Sequence, residues 1–193
     1  MQISFAEKND APEIAKIHKE EINKGFLSFL GIPILRLFYQ TIIVYKGGFC
    51  FLVKENGNIL GFVAGCVDLK DFNKYFLKKN IFFITLIMIS KIFNPFVRKK
   101  IKENFLHIKR EDGLPKAELL SIAVRKDFHG RKLGSMLVAR FVEEMKKRGV
   151  KNFKVLVGKE LNLFGFYTKN GFELVPEYNN SESTSSIFTY TIN

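Results

Sequence analysis

The chain has 193 residues, 47% of them hydrophobic, which suffices for one soluble domain with a sizeable core; no composition shift marks a second domain. Lys and Arg number 31 against 19 Asp and Glu, a formal charge of +12 that points to anionic partners. Residues 1–7 lack a basic stretch followed by an apolar one, so no secretory signal is expected and a cytoplasmic protein is. Cys50 and Cys66 have no CxxC spacing and read as reduced, buried thiols rather than as a disulfide framework. His18 and His107 are isolated and show no metal-ligand spacing, so no metal is expected.

In chain order, residues 2–6 are a first strand. Asp10-Ala11-Pro12-Glu13 starts a helix, with Asp10 as N-cap, Pro12 in the first turn and Ile14, Ile17 and Ile22 on the apolar side. Residues 35–45 continue as a second helix. Residues 49–54 and 59–67 form a hairpin closed by Asn56-Gly57-Asn58. Residues 117–124 are a short apolar strand, and a patterned helix follows with Leu137, Phe141 and Met145 four apart. Glu143 and Glu144 precede Lys147 and Arg148 by four residues, the favourable order for helix ion pairs, and Gly149 is the stop. A strand at 152–157, a short helix near 161–169 and strands near 172–177 and 187–192 complete the order.

The chemistry centres on residues 117–135. A strand runs through charged Arg125-Lys126-Asp127 into His129-Gly130-Arg131-Lys132-Leu133-Gly134-Ser135 and then a helix. A helix N-terminus presents free N–H groups and partial positive charge, so it receives phosphates, and glycines let successive amides aim at one place. By itself such a turn is equally an ordinary strand-to-helix connection. A Walker loop is excluded, because no Gly-Lys-Ser/Thr occurs, and the dinucleotide fingerprint lacks its inner glycine.

The 129–134 segment resembles the Gln/Arg-x-x-Gly-x-Gly/Ala motif of the GNAT acetyltransferase superfamily. His129 stands where Gln or Arg is usual, and Lys132 where the inner glycine is usual. Phe166-Tyr167-Thr168-Lys169-Asn170-Gly171-Phe172, about 35 residues on, is similar to the closing FYxxxGF signature of the same core. The resemblance implies an α/β (mixed α+β) GNAT fold. Its central mixed, mostly antiparallel sheet would be flanked by helices, with acyl-CoA bound between splayed fourth and fifth strands. It further implies direct transfer of an acetyl group from acetyl-CoA to a primary amine. Ile122, Ala123 and Val124 would line the pantetheine, and His129, Gly130, Arg131, Lys132, Leu133, Gly134 and Ser135 would hold the pyrophosphate. Tyr167 would protonate the leaving thiolate. Glu118, in register with the glutamate of the histone-acetylating branch, is the candidate base; Glu20, Glu21 and Glu160 are weaker ones. The family's Asn before the tyrosine falls on Glu160, and a loop two residues shorter would bring Asn162 into that role.

Residues 72–110 read as a basic, apolar helical insertion in a single domain spanning 1–193. Between residues 70 and 110 lie 11 Lys/Arg against Asp71 and Glu103. The apolar run at 81–93 is too short for a bilayer, which takes about 20 residues. A core or lid helix, a peripheral contact with an anionic membrane or an acidic partner, and recognition of CoA's phosphates or an acidic substrate all stay open. The acceptor, and whether the protein forms a homodimer, are unread. The rival from another class is a non-catalytic basic protein that senses acyl-CoA or binds membrane or nucleic acid through 70–110.

Overall fold

Asn56-Gly57 closes a hairpin of two long apolar strands, β2 (Gly48–Glu55) and β3 (Asn58–Cys66), and this hairpin is the middle of the sheet. Phe49, Phe51 and Val53 face one side and Cys50 and Leu52 the other, so both faces of the strand bury apolar side chains. The computed structural model describes residues 1–23, 26–89, 113–176 and 185–193. Around the hairpin come β1 (Gln2–Phe5), α1 (Ala11–Glu21), α2 (Phe26–Leu30), α3 (Ile32–Val44), α4 (Leu69–Ile89) and β4 (Glu118–Val124). The chain then forms α5 (Leu133–Lys147), β5 (Asn152–Gly158), α6 (Phe164–Lys169), β6 (Glu173–Leu174) and β7 (Ser185–Thr191). The strand order is β1-β2-β3-β4-β5-β7-β6. Every neighbouring pair is antiparallel except β4 and β5, which are parallel.

Helices cover both faces. Leu137, Phe141 and Met145, the predicted stripe of α5, pack with Phe153, Tyr167 and Phe188 on one side. Ile14 and Ile17 of α1 and Leu35, Tyr39 and Ile42 of α3 pack with Phe62 on the other. Helix ends follow their local chemistry with two differences from expectation. Asp10 stands at the N-cap of α1, but its carboxylate accepts the Glu7 N–H at 2.8 Å and an ion pair from Lys54 at 2.9 Å. It therefore closes the preceding turn instead of capping α1. On α5, Arg148 pairs with Glu144 at 2.8 Å as expected, whereas Glu143 pairs one turn back with Arg140 at 3.4 Å.

The expected insertion begins as α4. Asp68 accepts the Asp71 N–H at 3.0 Å, and Phe72 and Phe76 lay their rings on Phe38 at 5.4 and 5.9 Å. The part of the expected insertion from residue 90 to 110 lies outside the described residues.

One strand is irregular. In the β3–β4 ladder Ala64 faces Ser121 while Gly65 faces Leu119, so Leu120 is an extra residue on β4. Beside it a Cβ on Gly65 would sit 2.4 Å from the Glu118 carbonyl oxygen and 2.5 Å from the Phe141 ring. Only glycine lets α5 press this close to the bulge. Replacing Gly65 with Ala is expected to cost about 1–3 kcal/mol of stability, read as a lower urea midpoint at unchanged m-value.

Candidate active site

The parallel ladder between β4 and β5 stops almost where it starts. Only Glu118 with Lys154 and Leu119 with Val155 are in register. β4 runs on to Val124, still paired with β3, and β5 runs on to Gly158, still paired with β7. The two strands thus separate beyond their shared first residues. Among the described residues, the facing edges of 120–124 and 156–158 carry backbone groups with no strand partner between them, an arrangement suited to an extended amide-bearing ligand.

The bulge sets what each side of β4 carries. Leu119, Ile122 and Val124 turn toward the α5 core, whereas Leu120, Ser121 and Ala123 turn toward α1 and α3. Ser121 ends a buried polar chain. Its hydroxyl lies 2.8 Å from the Tyr39 hydroxyl, which lies 2.5 Å from Nδ1 of His18. All three are buried, and Tyr39 is 0% exposed. Burial first, and Lys19 second, pull His18 down to about 4 from the ordinary 6.5, so the imidazole is neutral at pH 7. The neutral ring shares a hydrogen bond with the Tyr39 hydroxyl through Nδ1, and Tyr39 shares a second with Ser121, so the three form one continuous chain. The sequence reading missed this chain. Its members stand 21 and 82 residues apart and share no spacing, and an isolated histidine carries no signal.

At the far end of β4 the turn into α5 has the form an anion site needs. Lys132, in the place of the usual inner glycine, takes the left-handed conformation at φ 59°, and Gly130 has φ 78°. The first bond inside α5 runs from the Met136 N–H to the Lys132 carbonyl, and no side chain caps the helix. The N–H groups of Leu133, Gly134 and Ser135 therefore stand at an uncapped helix N-terminus. His129 does not project freely: its Nε2–H donates to the Val124 carbonyl at 2.7 Å, tying the turn to β4. Arg131 lies over the Phe128 ring at 5.0 Å. Arg125 donates to the Ile59 carbonyl at 3.0 Å and pairs with Glu13 and Glu20 of α1. Glu21 accepts the Lys126 N–H at 3.0 Å. Glu20 and Glu21 thus fasten α1 to the turn.

Gly134 has a second role. A Cβ there would meet the Phe166 ring at 3.0 Å, so the glycine admits α6 against the start of α5. Next to Phe166, Tyr167 is 4% exposed and stacks on Phe188 at 5.4 Å. Burial pushes its phenol above the ordinary 10, so it stays protonated and is a donor. Among the described residues none hydrogen-bonds the Tyr167 hydroxyl. Glu118 is not a surface carboxylate at a strand end. It is buried at 8% exposure and pairs with the buried Lys154 at 3.6 Å, at the closed end of the split. Asn162 is exposed, in a left-handed conformation at φ 48°, between β5 and α6, and Glu160 lies against Gly158. Among the described residues no cluster of His, Cys, Asp or Glu could hold a metal. Burial raises both thiols, Cys50 and Cys66, well above their ordinary range, which keeps them protonated.

A mixed sheet that opens between its one parallel pair, beside an uncapped helix N-terminus, defines an acyltransferase of the GNAT fold. Residues 19–172 match the acetyltransferase (GNAT) family, and the chain belongs to it. The enzyme class is GNAT-type N-acetyltransferase. No curated protein sequence matches the chain. Among solved structures it is similar to the PaiA N-acetyltransferase from Thermoplasma acidophilum in complex with coenzyme A, at 14% identity, covering 99% of both chains with a TM-score of 0.61. It is also similar to the ribosomal-protein-S18-alanine N-acetyltransferase from Escherichia coli, at 17% identity, covering 100% of this chain and 94% of that one, TM-score 0.60. An acetyltransferase of the GNAT family from Streptococcus pneumoniae gives 16% identity, 100% and 99% coverage and a TM-score of 0.59. At these identities the likeness is one of fold.

The buried chain has measurable consequences. Tyr39→Phe leaves His18 and Ser121 without their shared partner and is expected to cost about 1–3 kcal/mol in urea unfolding. Because His18 binds its proton less readily when folded, stability is full above pH 6.5 and falls as the pH drops from 6.5 toward about 4. Unfolding curves across that window should show this slope, and His18→Asn should flatten it.

Proposed function

We propose that the protein transfers an acetyl group from acetyl-CoA to a primary amine by direct attack, as a single domain with α4 opening its basic insertion. The observation that carries the reading is the β4–β5 ladder ending after two residue pairs beside an uncapped α5 N-terminus. The split fits the co-substrate: its exposed strand edge suits the two amides of pantetheine, and the helix end suits a pyrophosphate. When bound, acetyl-CoA supplies an acyl group activated as a thioester.

The chain's own residues then have separable tasks. Backbone groups of Ile122, Ala123 and Val124 hold the pantetheine as an added strand. The segment from His129 through Gly130, Arg131, Lys132, Leu133 and Gly134 to Ser135 holds the phosphates mainly through N–H groups, and Asn162 borders the site from the β5 side. A strand N–H of β4 donates to the thioester oxygen as it gains charge. The amine attacks only when neutral, and Glu118 takes the proton it loses. Tyr167, protonated throughout the working range, gives a proton to the departing thiolate. Lys154 beside Glu118 pairs with that carboxylate in the chain's interior, which makes Glu118 structurally costly to replace. A coenzyme A complex of a fold relative adds support for the co-substrate. Two protonated, buried thiols fit a cytoplasmic setting. Family membership favours this reading over a non-catalytic binding protein.

The cradle is best tested at Ser135, because a side chain at Gly134 would displace Phe166. Ser135→Glu places a carboxylate over the free N–H groups, which favours the helix but competes with phosphate. Calorimetric titration should show acetyl-CoA affinity falling at least about tenfold while thermal stability holds or rises. Unchanged affinity would remove the cradle. Tyr167→Phe should lower kcat by about 100-fold or more in steady-state assays and leave acetyl-CoA affinity intact.

A further inference from the structure

Helix α4 changes character along its length. Its first half is seated on the body: Phe72 is fully buried, Phe76 meets Phe38, and the Asn80 side chain donates to the Thr41 hydroxyl at 2.9 Å. These three residues, four apart, form one stripe. Past Asn80 the helix runs on to Ile89 with most of its described side chains exposed. Ile81 is 57% exposed, Phe82 72%, Phe83 54%, Leu86 59% and Ile89 56%. At about 100° per residue Phe83 continues the stripe that meets the core yet is exposed, while Ile81, Phe82, Leu86 and Ile89 point to other sides of the helix. From 81 to 89 the sequence is apolar except for Thr85, with no charge.

A helix end that is apolar in sequence and exposes Ile81, Phe82, Phe83, Leu86 and Ile89, with Ile84 and Ile87 half-buried, marks a surface meant to be covered. Charge decides by what. Just behind this tip lie Lys70, Lys74, Lys78 and Lys79, with Asp71 as the only acidic residue of the helix. Lys74, Lys78 and Lys79 are exposed, and Lys74 meets Asp71 only at 3.6 Å on the open surface. A second copy would bring two lysine collars, and two chains of +12 each, against one another. An acidic phospholipid surface accepts both parts at once: acyl chains take the tip, and headgroups take the collar. The tip, at 1.5 Å per residue about 14 Å long, enters one leaflet and does not cross a hydrocarbon core of about 30 Å. Among the described residues no helix is long and apolar enough to cross a membrane.

We propose that the second half of α4 docks the protein on an anionic phospholipid bilayer, residues 81–89 entering the acyl region and Lys70, Lys74, Lys78 and Lys79 lying among the headgroups. The test is co-sedimentation of the full chain with sucrose-loaded vesicles of phosphatidylcholine alone, or of phosphatidylcholine with phosphatidylglycerol at about three to one. The chain should partition onto the mixed vesicles and not onto the neutral ones, and less at high salt. Changing Lys74, Lys78 and Lys79 together to Gln should weaken partition on the order of 100-fold, roughly fivefold for each lysine near an acidic surface. Phe82→Glu combined with Leu86→Glu should abolish it, while melting temperature and acetyl-CoA binding stay as in the parent.

Four outcomes would overturn the proposal. The first is no partition onto acidic vesicles, and the second is partition that ignores the Phe82 and Leu86 changes. The third is a dimer by light scattering that those same changes dissolve, which assigns the tip to a second copy. The fourth is a large fall in melting temperature in the Phe82 and Leu86 variant, which places the tip inside the folded chain.

Discussion

β4 is a strand held fully on one side and for only two residues on the other, and most of the molecule is arranged around that asymmetry. A strand with one open edge presents unpaired N–H and C=O groups and is prone to pair with a stray chain. Here the open edge borders the split between β4 and β5, with the α5 core packed on one face of β4 and α1 and α3 on the other. The remaining contacts of β4 are correspondingly strong: a full ladder to β3, an extra residue at Leu120, and Ser121 tied into the interior through Tyr39 and His18. Both ends are also fixed. Glu118 is paired to Lys154 where the strands meet, and Val124 is held by His129 where they are apart.

The two glycines at the site work by subtraction. Gly65 lets the Phe141 ring reach the bulge, and Gly134 lets Phe166 reach the first turn of α5. Each removes a side chain so that an aromatic ring from another element sets the spacing of backbone groups. In this way the α5 N-terminus, the open edge of β4 and Tyr167 are referred to one rigid aromatic core that includes Phe141, Phe153, Phe172 and Phe188. Precision of this kind needs a close-packed interior, because a backbone N–H can be aimed only as well as the strand or helix carrying it is held.

The charge of the chain is divided in the same economical manner. Arg125, Arg140 and Arg148 are half-buried and used up in ion pairs with Glu13, Glu20 and Glu144 and in contacts with aromatic faces. The lysines of α4 are left in the open. A positive surplus that the core does not consume is available to an anionic surface, and on α4 it adjoins the exposed side chains of Ile81, Phe82, Phe83, Leu86 and Ile89.

By itself the sequence determined most of the elements, α2 excepted, and the family. The apolar runs of β2 and β3, the Asn56-Gly57 turn, the four-residue stripe of α5 and the Gly149 stop are local signals, each written within a few residues of the structure it directs. The paired 129–134 and 166–172 segments identified the fold class, since backbone-aiming turns leave glycines at set places. What only the tertiary structure decided involves contacts between distant residues. Glu118 reads as a strand-end carboxylate until Lys154 is brought beside it, and His18 reads as an isolated histidine until Tyr39 and Ser121 complete its chain. The early end of the β4–β5 ladder is likewise invisible in two apolar strands of ordinary length. Pairing, burial and separation are properties of two segments at once, and a single chain read in order carries only one of them at a time.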